Sequence, residues 1–387
     1  MTQKLVISRE LLNNTIKRHG DFWKPLPNRT FLHSTGIYAP SSSIYLKQKD
    51  GKLLDNINKL EADFVNPDIL IREIENYNND ELNETLALKG QYLVSVGQGD
   101  FIPLAAPLQK IPWIEAMLRC PIKMVNGQIW NEKYPGNPEW IAQKGIHFES
   151  NPWFQLYLEF IKQLQNRLYK RFLISATTNL RGASDLIAAI MGVSETCIGW
   201  IDNSSFMTRL MRVCTDAILT VVEAADKVLI QSNNGYPCKW GLWSPNKIVC
   251  TQADHLTLLS PEIYKQQILP YDLEVIRSRP KSIFHIHNSG LHIAPILIEV
   301  PELDAIQVWM DPYPIEESRK LYELEMLKRI LQYKPLILDV YLPNLKEAKW
   351  LLDNLPKNRL FFKAWFDYEI YTNLSDDFPG KKIWLPE

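Results

Sequence analysis

SIFHIHNSGLHIAPILIEVPELDAIQVWM, residues 282–310, contains two short runs rich in β-branched and aromatic residues, SIFHIH (282–287) and DAIQVWM (304–310). Runs of this length and composition read as strands. Working outward, the same signal recurs at RTFLHST (29–35), QYLVSV (91–96), RFLISATT (171–178), KVLIQS (227–232), PLILDVY (335–341) and RLFFKAW (359–365). Between them, segments such as MTRLMRVCTDAILTVVEAA (207–225) and IEESRKLYELEMLKRILQY (315–333) place apolar residues three and four apart, as helices do. Strand and helix in alternation imply a parallel sheet with helices outside, and eight strands are enough to close a barrel. The fold expected is therefore α/β, a (β/α)8 TIM barrel.

In that reading residues 1–28 are an N-terminal extension and 29–387 a single barrel domain, with insertions at about 36–90 and 98–168. The insertions carry proline and aromatic clusters, IPLAAPLQKIPW (102–113) and ESNPWF (149–154), so they are expected to be folded and to cover the barrel mouth.

Hydrophobic residues make up 46% and charged residues 22% of the 387, an ordinary balance for a globular chain with a large core. Lys and Arg total 43 against 44 Asp and Glu, so no global field draws the chain to nucleic acid or an anionic membrane. The N-terminal residues are broken by charges, and no later run approaches a bilayer span, which gives a cytoplasmic expectation. Cys120, Cys197, Cys214, Cys238 and Cys250 are scattered, with no CxxC pair, so neither a disulfide framework nor a structural zinc site is expected.

Barrels of this kind work at the C-terminal ends of their strands. That rule selects His33, Gln98 with Asp100, Thr177 with Asn179, Gln231 with Asn233, His285 with His287, Trp309 with Asp311, Asp339 with Tyr341, and Lys363 with Trp365. His285 and His287 are two apart on one strand and so share a face. Such a pair binds a divalent metal if a carboxylate joins it, with Asp311, Asp339 or Asp254 available, and otherwise contacts substrate or moves a proton. His292 is expected to pack. VGQGDF (96–101) lacks a phosphate-loop pattern and reads as a turn. Cys238 has only Lys239 as a charged neighbour, and the Trp240, Trp243, Trp309 and Trp365 set suits a flat or apolar ligand or a lid.

WGLWSPNKIVCTQADHLTLLSPEIYKQQILPY (240–271), followed by SIFHIHNSG and APILIEVPELDAIQV (294–308), resembles the uroporphyrinogen decarboxylase-like superfamily, in which a Q-x-D, S-P, LPY segment precedes a strand ending in H-x-C-G or H-x-D-G. TNLRGASDLIAAIMG (178–192) looks like a further segment of that superfamily. The resemblance covers about 170–345. It implies a (β/α)8 barrel and either decarboxylation or methyl transfer with a corrinoid partner. Around the first strand, NRTFLHSTGIYAP has a single Arg in place of an arginine-rich signature. His287 stands where the methyltransferase branch has its first zinc-binding Cys, and no cysteine follows Cys250, so a thiolate zinc site of that pattern is excluded.

Two chemistries follow. The leading one is acid-assisted decarboxylation of a small carboxylated aromatic or heterocyclic compound, needing no cofactor. Asp254, at a raised pKa, acts as the acid with His285 and His287 beside it, and His33, Arg181, Trp243, Trp309, Asp311 and Lys363 line the substrate site. The alternative is methyl transfer assisted by zinc on His285 and His287, with a corrinoid or folate donor. Expected partners are a small-molecule substrate, a corrinoid protein in the alternative, and a second copy of the chain as a homodimer, with no nucleic acid and no membrane. A barrel that binds ligand without turnover is a third, non-enzymatic reading.

Overall fold

The computed structural model describes residues 9–25, 30–37, 46–47, 53–54, 56–76, 94–95, 99–145, 147–176 and 181–374. Within them a six-stranded sheet runs, in spatial order, Phe31–Ile37, Leu360–Phe366, Leu336–Tyr341, Ala305–Met310, Lys281–His287 and Ile248–Gln252. Every pairing in it is parallel. Parallel neighbours need a crossover, and helices such as Leu269–Arg277, Ala294–Ile298, Glu317–Tyr333 and Leu345–Asn354 supply it.

The strands are buried on both faces, as parallel strands are. Phe284, Ile286, Ile306, Val308, Leu338, Val340 and Phe362 pack into the large core shared with the helices. The alternate residues Leu32, Cys250, Ile283, Ala305, Ile337 and Phe361 form a second apolar cluster. Two residues further along each strand, that second face turns polar: Gln252, His285, Gln307, Asp339 and Lys363 follow Cys250, Ile283, Ala305, Ile337 and Phe361. An apolar floor with a polar storey at the strands' C-terminal ends is thus written in the alternation.

Two strands expected as parallel, at 227–232 and 91–96, are corrected here. KVLIQS does not form a strand: helix Ser204–Val228 continues through Val228 before the chain extends. Its buried stripe, Met207, Leu210, Met211, Cys214, Ala217, Ile218, Val221 and Ala225, carries the helical spacing into that run, and packing of a continuous stripe outweighs a local β preference. The edge strand of the sheet is instead Ile248–Gln252. Leu104–Ala105 and Leu173–Ile174 form a parallel pair in a separate three-stranded sheet, with Val94–Ser95 antiparallel to the first. Asp100 N–H donates to His33 O at 2.8 Å between the two sheets, but among the described residues no strand ladder closes them into one ring. What is established is a mixed α/β fold around a six-stranded parallel sheet.

Among the described residues no single helix is long and apolar enough to cross a membrane. The apolar helices Ala183–Met191 and Val193–Asp202 meet at 111°, with Gly192 at φ +96° in a conformation that side chains strain to adopt.

Candidate functional site

Strand 281–287 delivers His285 and His287 to one face, and the chain leaving strand 248–252 delivers Asp254 opposite them. Asp254 Oδ1 lies 3.5 Å from His285 Nε2 and 3.8 Å from His287 Nε2. One ligand atom from each of the three falls within 4.8 Å of the others. The other carboxylate oxygen accepts a hydrogen bond from Gln252 Nε2 at 2.9 Å, whereas Oδ1 is buried with no hydrogen-bond donor among the described residues.

The Asp254 backbone is fixed from behind. Its N–H and that of His255 donate to the two oxygens of Asp185, at 3.1 and 2.8 Å, pinning the start of the short turn Asp254–Leu258. Burial, with the negative charge of Asp254 next in importance, pushes the Asp185 carboxyl up to about 7. Arg181 stands beside this group, half exposed, with its Nε 2.9 Å from an oxygen of the wholly buried Glu115. Burial raises the Glu115 carboxyl and the Arg181 charge opposes it.

Burial alone would also raise Asp254. The His285 and His287 imidazoles in their protonated forms, with the Arg181 guanidinium, outweigh it and hold the carboxyl down to about 2. The raised pKa expected from the sequence is therefore overturned, because two imidazoles of the neighbouring strand face that oxygen. Burial and His285 lower His287, against the opposing pull of Asp254 and Asp311, so the His287 ring is neutral at neutral pH. The two imidazoles meet edge to face at 5.0 Å, and the Trp240 indole stacks on His285 at 6.1 Å and 23°.

The remaining candidates fall in different places. His33 alternates with Leu32 and is in register with Phe362, so it lies on the helix-facing side of the sheet, where its N–H donates to Asp100 Oδ2 at 2.9 Å. Trp243 is turned into a small cluster with Ile102 and Leu173 and donates to Ser232 O, so the indole at the site is Trp240 and not Trp243. Lys363 is on the correct face but 2% exposed, ion-paired to Asp339 at 2.8 Å, and is no open anchor for a carboxylate. Asp339 stands behind the His pair and supplies no third ligand. Trp309 and Trp365 meet at 6.5 Å, with Trp309 level with His287 in the sheet, and Asp311 is felt by His287 electrostatically. His292 packs as expected, its Nε2 3.1 Å from Leu259 O. Gly99 and Asp100 form the expected turn, and Cys238 is fully buried. Gln98, Thr177 and Asn179 lie outside the described residues.

Gln307 and Glu115 are absent from the residues that the sequence selects, and Gln252 and Asp185 stand there only within the Q-x-D and TNLRGASDLIAAIMG segments. Gln307 carried a usable signal, being the one polar residue inside the buried strand AIQVWM and two positions from Ala305, which faces the interior.

No family profile matches the chain, and no curated protein matches it. Among solved structures its fold is similar to that of a methyltransferase from Methanosarcina mazei, with a TM-score of 0.56 and 13% identity over 91% of this chain and 93% of that one.

Proposed function

We propose that this protein is a methyltransferase that holds a divalent cation, zinc by donor type, on Asp254, His285 and His287. The observation that carries the reading is the buried Asp254 Oδ1, which among the described residues has no hydrogen-bond donor and which faces two imidazole nitrogens at 3.5 and 3.8 Å. Ligands about 2.0 to 2.1 Å from a tetrahedral ion lie about 3.4 Å apart, so both separations are near the spacing a shared cation imposes. Two imidazoles and one carboxylate form a three-ligand set that leaves a coordination position for substrate. The likeness in fold to a methyltransferase supports the same reading. The fold is then best read as an eight-stranded barrel, the pair 104–105 and 173–174 completing the six.

Bound there, a divalent cation supplies Lewis acidity that favours the deprotonated, nucleophilic form of an acceptor. The chain's own residues do the rest. Asp254, held ionised, balances charge; Trp240 walls one side of His285 and keeps water from that face; Arg181 offers a positive charge to an anionic part of the substrate. In the transfer, the acceptor's lone pair forms the bond to the methyl carbon as the donor takes the electron pair of the breaking bond. The donor is a corrinoid or a folate and the acceptor a small molecule. Acid-assisted decarboxylation loses its footing, because an Asp254 carboxyl held at about 2 has no proton to give at neutral pH.

Titration of chelator-treated protein with zinc chloride, followed by calorimetry, tests the reading. One equivalent should bind, and Asp254→Ala or His287→Ala should abolish it. Methyl transfer from methylcobalamin or methyltetrahydrofolate to simple thiols should track the bound metal. No zinc binding, or binding unaffected by both substitutions, would sink it.

A further inference from the structure

Behind His285 runs a chain of hydrogen bonds that crosses four adjacent strands. His285 Nδ1 contacts Gln307 Oε1, its register partner on the next strand. Gln307 Nε2 donates to Asp339 Oδ2 at 2.8 Å, one strand further on. Asp339 Oδ1 is 2.8 Å from Lys363 Nζ on the fourth strand, and Trp365 Nε1 donates to the same oxygen at 2.8 Å. Gln307, Asp339 and Lys363 are each at most 2% exposed.

The polarity of this chain is forced from its far end. An ammonium and an indole N–H can only donate, so the Asp339 carboxylate accepts from both of them. It then accepts from Gln307 as well, which orients the Gln307 amide with its NH2 towards Asp339 and its oxygen towards His285. An amide oxygen only accepts, so the His285 nitrogen that meets it must carry a hydrogen.

We propose that Gln307, Asp339 and Lys363 are positioning residues that hold neutral His285 in the tautomer protonated on Nδ1, leaving Nε2 as a lone pair aimed at Asp254 and His287. Without this relay the ring would be free to place its proton on Nε2, which could then donate to Asp254 and stop up the cation site. A histidine ligand commonly has its orientation and tautomer set by the partner of its other nitrogen. Here the decision is made by a lysine three residues away along the relay. The consequence for cation binding rests on the metal-assisted reading; the tautomer does not.

Asp339→Asn reverses the relay. Lys363 and Trp365 keep the side-chain oxygen, the new NH2 turns to Gln307, Gln307 turns over, and its NH2 then faces His285 Nδ1. The proton is driven to Nε2. In full-length, chelator-treated, 15N-labelled protein at mildly alkaline pH, long-range proton–nitrogen correlation spectra should show His285, assigned by loss of its signals in His285→Gln, with hydrogen on Nδ1. Asp339→Asn should switch it to Nε2 and weaken zinc binding by about 10- to 100-fold. Gln307→Met, which cuts the relay without unpairing Lys363, should give a mixture of tautomers and serves where Asp339→Asn does not fold. Hydrogen on Nε2 in the wild type, or an unchanged tautomer in either folded variant, overturns the proposal. A wild-type spectrum as expected, the switch on substitution, and no zinc binding at all would uphold the relay while removing the metal-assisted reading.

Discussion

The carbonyl oxygen of Gln252 lies 1.8 Å from where a Cβ on residue 182 would stand. Gly182 opens the helix Ala183–Met191 with extended backbone, so the glycine is there for closeness and not for an unusual φ. That contact seats the helix carrying Asp185 directly on the strand that leads to Asp254. Gly182→Ala must push the two apart, which predicts a loss of about 1–3 kcal/mol in urea unfolding together with weaker zinc binding. Stability within about 0.5 kcal/mol of wild type would mean that the contact is relieved without cost.

His19 predicts an acid-sensitive component of stability of its own. Its Nδ1 accepts from Trp243 N–H at 3.0 Å, so its Nε2 is the protonated nitrogen and donates to Asp100 O at 2.7 Å. Burial above all, reinforced by Arg18, pushes the imidazole down to about 3 from 6.5. The unfolded chain therefore takes up the proton first. This contribution is complete above 6.5 and is lost as pH falls from 6.5 towards 3, reaching about 2 kcal/mol by about pH 5. The measurement is denaturant unfolding of wild type and His19→Gln from neutral pH downward, and the wild type should lose stability faster. Parallel curves would show that His19 is not the titrating group.

The Lys363–Asp339 pair predicts a strong non-additivity. Both side chains are buried, so removing one leaves a desolvated charge without its counter-charge. Lys363→Met should cost about 3–5 kcal/mol, and adding Asp339→Leu should recover much of it, as a double-mutant cycle in urea will read. Additive losses would place the stabilisation in packing instead, where the Lys363 ammonium lies 5.1 Å from the Phe101 ring and 5.5 Å from that of Trp365.

Thiol reactivity should single out one of the five cysteines. Burial, then Glu115, pushes the Cys120 thiol up to about 12, and burial pushes Cys214 up as well. Burial raises Cys238 too, yet a hydrogen bond with Cys250 and the Trp240 and Leu242 backbone N–H groups bring it below its usual range, so access alone protects it. Cys197 is half-buried, 3.8 Å from His255 Nε2. Ellman's reagent on native protein should find one fast thiol, absent from Cys197→Ser, and all five after unfolding. A second fast thiol in the native protein would contradict the burial of the others.

The strands most legible in the sequence were those whose β-rich runs end against clear breaks: 281–287, 305–310, 336–341 and 360–366 each begin within a residue of where the composition places them. The run 227–232 misled because Lys227 and Val228 extend a stripe begun at Met207, and a six-residue window does not see a 25-residue helix. The histidine pair was legible because alternation needs no tertiary knowledge. Asp254 is one of three carboxylates the sequence offers to that pair, and it is the one lying beside the imidazoles, but the raised pKa expected for it is reversed, since a pKa is decided by neighbours brought from other strands. Lys363 shows the same limit: a strand-end cation looks like an anchor until the adjacent strand turns out to hold its counter-ion.

The relay also measures strand registration. His285 and Gln307 are direct cross-strand partners, as are Asp339 and Lys363, while Gln307 reaches Asp339 diagonally, since Asp339 is level with Trp309. A slip of one residue between any two of these strands would turn the wrong face inward, and a slip of two would keep the faces but misalign the partners. The relay is assembled only when these four strands have agreed on alignment to the residue, and Asp254 comes from the chain leaving a fifth, 248–252. On the metal-assisted reading, zinc capture during refolding would time-stamp the moment the sheet locks.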